Sequence, residues 1–481
     1  MAYFHGVSTR KEATSISTPV TAGAGIVFAV GTAPVHTVGG GVNVPVMANN
    51  YAEAAAALGF SDDWGKFTLC EVLYSQFQLY KVAPVFFVNV LDPTKHKKEV
   101  AAADLDVIDG KVLLPLEAID STVTVKESGG AAEYAADTDY ALFYEGANLV
   151  LEVLDGGAIP AGTAKLNVAY NAVDPSKVTK AEIIGGFNVS TKQTTGLELI
   201  DSVFPKYGIV PDLVLAPGWS EDAEVAAIMS AKAEAINGVF KENKALIDVD
   251  TAEVRYYSDV PAWKKKKNIT APEQILCWPM VKLGDRTYHL STQAAGLMGQ
   301  VDADNGDCPC ESPSNKKLQA DSAILADGTE ILLDLQGANY LNSQGIVTAL
   351  NFYGGFKLWG NETACFPSNT DVTDYFICVG RMFGWVAKSV VLTYWDKVDN
   401  MLNRRLIDSI VDSLNIWLNG LVSEEKLLGG RVEFKEEENS TVSLMAGRAT
   451  FHIYITPPSP AKELEFVLEY DAAYVSAALT A

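Results

Sequence analysis

Pro457-Pro458-Ser459-Pro460 places the tightest limit on how this 481-residue chain can fold. Three prolines in four positions hold the backbone extended and remove most of its amide donors, so the chain cannot turn back there as a hairpin. Beyond the spacer, Leu464, Phe466, Leu468 and Tyr470 alternate with Glu463, Glu465, Val467 and Glu469, the period-two pattern of a strand with one apolar face. Such a strand has no adjacent partner, and it pairs either with its own sheet or with the edge of another molecule. Burying its four apolar side chains yields roughly 6 to 10 kcal/mol, against about 10 kcal/mol or more for ordering its backbone. One contact of this kind is marginal, whereas many in a repeating array hold by avidity. On these grounds alone both destinations stay open.

The segment ahead of the spacer carries a helix pair and two strands. From Val372, the apolar residues Phe376, Val379, Phe383, Val386 and Val390 recur at spacings of three and four, the stripe of one helix. Leu402, Leu406, Ile410, Leu414, Trp417 and Leu421 predict a second helix with the same inward face, ended by Gly429-Gly430. Strands are expected over 431–436, where Val432 and Phe434 share a face, and over 450–456, where Phe451, Ile453 and Ile455 do.

The remainder reads as an α/β rhythm with an interruption. Buried strands over 25–30 and 85–91 bracket helices over 51–58 and 68–80. Two near-identical turns, Asp92-Pro93-Thr94-Lys95 and Asp174-Pro175-Ser176-Lys177, enclose β-rich segments over 122–126, 148–153 and 165–170. The rhythm then resumes with a helix over 196–204, a strand over 211–216, a helix over 221–242 capped by Ser220, and a strand over 245–249. The expected fold is therefore multi-domain, α/β and α+β. A discontinuous α/β domain (21–96 and 178–345) carries an inserted all-β domain (97–177), followed by a C-terminal α+β domain (346–458). Extended arms lie at the N-terminus (1–20) and the C-terminus (459–481).

Charge and chemistry exclude several functions. A net charge of −23 repels nucleic acid, and the basic run 264–267 reads as a solvated loop, with a docking patch for an acidic neighbour as the alternative. Without a signal peptide or an apolar run of membrane-spanning length, the expectation is a soluble protein made in the cytosol, with no membrane insertion. Six cysteines then stay reduced. Cys70, Cys277, Cys365 and Cys378 read as core, while Cys308-Pro309-Cys310 sits in a polar loop where a metal or redox pair is conceivable but lacks a second cysteine pair or a nearby histidine. The five histidines are dispersed, and the phosphate-loop, nucleophile-elbow and zincin motifs are missing. Gly23-Ala24-Gly25 precedes a strand instead of following one, and 302–307 opens like a calcium loop but has Pro313 where the bidentate Glu belongs. No catalytic site, cofactor or metal is expected.

An ordered set of motifs carries a resemblance. Ser312-Pro313-Ser314-Asn315-Lys316, Leu341-Asn342 with Gly345-Ile346-Val347-Thr348, Leu358-Trp359-Gly360-Asn361-Glu362-Thr363, the helix pair, Leu427-Leu428-Gly429-Gly430 and, upstream, 211–218 together resemble the FI-type tail sheath proteins of contractile phages. Glu362 stands where that family commonly has Arg, and the Cys308-Pro309-Cys310 loop is foreign to it.

The resemblance implies a non-enzymatic subunit of a virion tail sheath, made in the host cytoplasm. Hexameric rings would stack helically around an inner tail tube protein, between baseplate and terminator proteins, and contract to drive the tube through a cell envelope. Its C-terminal domain would be tube-facing, and the inserted domain would face outward. Thr14, Ile16 and Thr18, and Leu464, Phe466, Leu468 and Tyr470, would be donor strands. Val432, Phe434, Phe451, Ile453 and Ile455 would lie on the acceptor strands of a neighbour. Lys397, Arg404 and Arg405 would meet the tube, although ordinary helix-face solvation explains them equally well. A headless phage-tail-like particle, an α/β enzyme with an accessory β domain, and an adhesin are the rival readings.

Overall fold

The computed structural model describes residues 19–130 and 132–479. Its largest sheet is built from short runs that are apolar at successive positions, as strands covered on both faces must be. The eight strands are β1 (Val27–Gly31), β2 (Val46–Ala48), β3 (Val85–Asn89), β4 (Leu213–Leu215), β5 (Lys244–Asp248), β6 (Gln274–Cys277), β7 (Ile346–Leu350) and β8 (Lys357–Trp359). They lie in the order β2-β3-β1-β4-β5-β6-β7-β8, parallel except for the two outer strands.

Between β3 and β4 the chain leaves this sheet. Lys97–Asp106, Thr124–Glu127, Glu133–Tyr134 and Lys165–Val173 form a four-stranded sheet; Lys111–Pro115, Tyr140–Glu145 and Asn148–Val153 form a three-stranded one. The two share a core around Val112, Leu149, Leu151, Leu166 and Val168. The molecule is thus a mixed α/β protein with several sheets.

Three helices frame the C-terminal unit and its junction with the large sheet: α1 (Leu290–Asp304), α2 (Ile377–Tyr394) and α3 (Arg404–Ser423). α2 and α3 pack on a two-stranded hairpin, β9 (Gly429–Glu433) and β10 (His452–Thr456), around Met382, Trp385, Leu414, Trp417, Leu418 and Val432.

Several expectations shift, each for a local reason. The helix placed over 221–242 spans Ala223–Glu234, because Asp222 caps it by accepting from the Glu224 and Val225 amides. Asn237-Gly238, both at positive φ, then forces a small hairpin of Ala235–Ile236 with Phe240–Lys241. Ser220 instead bonds Asp248. The stripe from Val372 breaks at Phe376, whose backbone is extended, into Val372–Tyr375 and α2. Asn403 caps α3, which leaves Leu402 outside the helix and exposed.

The boundary at 345/346 also moves, since β7 and β8 belong to the large sheet. Gly429-Gly430 opens β9 instead of ending a unit, and the strands expected over 431–436 and 450–456 are shorter. The lysine run is not a solvated loop. Lys264–Lys266 lie in the helix Val260–Lys266, and Lys264 is buried, donating to the Gln344 and Phe366 carbonyls.

A buried ionic cluster fastens α2 to the body. Arg381 reaches Asp212, just ahead of β4, at 2.9 Å, and bonds Asp302 of α1 through both terminal nitrogens, one at 3.1 Å. Asp212 also accepts the Gly25 and Ile26 amides, at 3.3 and 2.6 Å. Burial lifts Asp302 to about 6 even beside Arg381. Gly25 has φ +69°, and a Cβ there would stand 2.4 Å from the Gly299 Cα, so only glycine lets α1 close on this segment.

Breaking a buried pair strands the remaining charge. Arg381→Met is expected to lower stability to urea by about 3–5 kcal/mol. Arg381→Met combined with Asp302→Leu should recover part of that loss, because Asp212 keeps its backbone donors. A single variant within about 1 kcal/mol of the parent would show that the cluster does not hold the joint.

Candidate functional site

Open parallel sheets hold ligands beyond the carboxyl ends of their strands, where the order reverses, here between β1 and β4. That crevice is filled. Ser220 and Ser291 both bond Asp248 at the end of β5. His289 donates its backbone amide to Glu71 and places Nδ1 2.7 Å from the same carboxylate. Thr32 and Thr68 close the end of β1. Asp248, Glu71, Ser220 and Ser291 are buried, so the network reads as packing and not as a reaction centre.

The open features lie on the C-terminal unit. Asn415 of α3 takes both backbone groups of Val432, donating to its carbonyl at 3.2 Å and accepting its amide at 2.9 Å. Backbone groups on a strand alternate in direction, so this amide occupies the side of β9 away from β10. The Ile453 and Ile455 side chains pack toward the helices with Val432, while the rings of Phe434 and Phe451, just outside the paired residues, meet tilted at 56° with centroids 5.5 Å apart.

Both chain ends lead to this unit. The Val20 and Ala22 amides donate to Thr393 Oγ1 and Ser389 Oγ, each at 2.9 Å, and Trp385 Nε1 donates to the Ala22 carbonyl at 2.8 Å. Residues 385, 389 and 393 are one turn apart on one face of α2. Thr14, Ile16 and Thr18 lie outside the described residues.

At the other end, 457–471 forms no strand within the subunit. Its root is fixed where Lys462 Nζ meets the buried Glu362 at 2.5 Å and sits over the Phe366 ring. Beyond it Leu464, Phe466, Leu468 and Tyr470 are 72%, 82%, 95% and 85% exposed. Ala472–Leu479 is a short helix that the period-two pattern does not encode.

Full-length comparison gives this geometry its meaning. The chain is 30% identical over 486 residues to the tail sheath protein of Burkholderia phage BcepMu, spanning 98% of each. The chain belongs to the phage tail sheath protein family. Among solved structures, it matches the contracted sheath complex of the PVC extracellular contractile injection system (TM-score 0.57, 14% identity, 98% of this chain and 99% of that one). It also matches the contracted helical sheath of the anti-feeding prophage (TM-score 0.57, 13% identity, 98% and 100%). These two likenesses are of fold. No protein-family model matches the sequence.

The remaining residues expected to act on a tube fall around the start of α3 in this sheath protein. Lys397 pairs with Asp396 at 3.1 Å, Arg404 pairs with Asp408 at 2.9 Å, and Arg405 is exposed. The neighbouring turn also exposes Trp395, Val398 and Met401, which helical periodicity does not single out. The buried charges Asp212, Asp302 and Arg381 are likewise absent from the sequence-based expectations. Their signal is a charge set inside an apolar run, as in Val210-Pro211-Asp212-Leu213 and Val379-Gly380-Arg381-Met382. Among the described residues no three His, Cys, Asp or Glu side chains gather to hold a metal ion, and no helix is long and apolar enough to cross a membrane.

The filled crevice makes a pH prediction for the sheath subunit. Burial by itself lowers the His289 imidazole, but Glu71, with Asp248 and Glu221 behind it, raises it to about 10 from 6.5. A raised folded value means stability that is fully present below the unfolded value and lost as pH rises through the folded one. Resistance to urea should therefore fall between about pH 6.5 and pH 10, and His289→Gln should flatten that slope. An unchanged slope in the variant would assign the pH dependence to other groups.

Proposed function

We propose that this protein is the contractile sheath subunit of a phage tail and polymerises around an inner tube by exchanging terminal strands with its neighbours. The observation that carries the reading is the C-terminal arm. Four alternating apolar side chains are held in water beyond a stiff spacer whose root is fixed at Lys462, an arrangement that only a partner makes favourable. The recipient is the β9–β10 hairpin of another subunit, through Val432, Phe434, Phe451, Ile453 and Ile455. With Asn415 occupying β9 at Val432, the outer edge of β10 is the one open to Leu464, Phe466, Leu468 and Tyr470. Thr14, Ile16 and Thr18 supply a second donor strand to another neighbour.

In this reading subunits form stacked hexameric rings, with the C-terminal unit toward the tube and residues 97–177 outward. Lys397, Arg404 and Arg405 face the tube protein, and baseplate and terminator proteins close the two ends. The baseplate assignment is supported by the likeness to a chain in the anti-feeding prophage baseplate. Assembly takes place in the host cytoplasm. The sheath is built in a metastable extended lattice, and triggering releases it into a shorter, wider one, with subunits moving as bodies and arms keeping them tethered. The role is mechanical and requires no catalysis.

Purified protein is expected to form rings, tubes or long polymers by negative-stain microscopy. Deleting 461–481, or introducing Phe466→Asp with Leu468→Asp, should leave folded monomers. A full-length protein that stays monomeric at high concentration would overturn the reading. Loss of folding in the double variant would mean that the strand belongs to its own subunit.

A further inference from the structure

The Cys308-Pro309-Cys310 loop follows the end of α1 and meets α2. Cys308 has no exposed surface, and its Sγ lies 3.5 Å from the Met382 Sδ, itself fully buried. Cys310 is half-buried and packs against the same cluster, with its thiol turned to that of Cys308. Cys378, one turn before Met382, lines the groove of about 940 Å³ onto which Cys310 opens beneath the arm root. Sulfur atoms from two separate elements thus converge where the sequence shows only a dithiol in a polar loop.

We propose that Cys308, Cys310 and Met382 form a binding site for a soft monovalent metal ion, Cu(I), entered through the groove beneath the C-terminal arm. Two thiolates and a thioether select a soft ion over zinc, whose structural sites take four ligands. Asp302, whose carbonyl accepts the Cys308 amide, has its carboxylate held by Arg381. An ion about 2.3 Å from three sulfurs in a plane spaces them about 4 Å apart. The Cys308 and Met382 sulfurs need to part only slightly, which the flexible Met side chain permits.

Binding displaces the two thiol protons to solvent and leaves one net negative charge on the complex. Lys426, paired with Glu424 at 2.8 Å, approaches the loop at Gly306. Because the loop and α2 belong to separate elements, a bound ion would staple them beside the Arg381 cluster.

The test is an anaerobic titration of the reduced, full-length protein with Cu(I) against a chromophoric Cu(I) chelator. The expected result is one Cu(I) retained per chain with a near-ultraviolet thiolate-to-copper absorption band. Cys310→Ser should abolish retention, and Met382→Leu should weaken it by roughly tenfold or more. Cys365→Ser, away from the site, should change nothing. Cys308 is wholly buried, so the test relies on Cys310→Ser and Met382→Leu, each with unchanged circular dichroism. Retention of the ion by Cys310→Ser, parental affinity in Met382→Leu, or transfer of all copper to the chelator by the parent protein would each overturn the site.

Discussion

The structure depends on one buried guanidinium. Arg381 is the point at which the strand order of the large sheet, through Asp212, and the packing of α1, through Asp302, are tied to the helix that organises the C-terminal unit. The three residues are far apart in the chain, and each is costly to bury alone. Together they fix how two otherwise separate cores meet. Hydrophobic contact would slide; a planar fork between two carboxylates does not.

The same joint explains why both ends of the chain lead to one place. Residues 20–26 run from the face of α2 to Asp212, so the N-terminal segment is clamped by the helix and the cluster in succession. At the C-terminal end, Lys462 seats on Glu362, a carboxylate with almost no exposed surface. That buried acid gives the arm's lysine its partner in the body.

The sequence makes legible whatever period and turn chemistry encode locally. Tyr51–Leu58 is readable from Asn50 and Gly59, and Asn148–Val153 from its flanking turns. Local signals fail where two of them compete. The apolar continuation past Glu234 looks helical, but Asn237-Gly238 imposes a hairpin. Non-local pairings are not legible at all. Arg381 with Asp302, Asn415 with Val432, and Met382 with Cys308 join residues whose proximity no spacing reveals. Of the candidate site, the arm's alternation is visible in the sequence while its anchor at Glu362 is not. The edge closed by Asn415 cannot be chosen without the fold.

The strap on α2 has a consequence for load. Its hydrogen bonds lie along one helix axis, at Thr393, Ser389 and Trp385. Tension applied to the segment along that axis strains these bonds together, in shear, and they do not peel one after another. What passes them arrives at Asp212 and then at Arg381, so tension on residues 20–26 is delivered to the ionic joint of the body and not to the small hairpin. The clamp on α2 and the buried ion pair thus stand in series along one stretch of backbone.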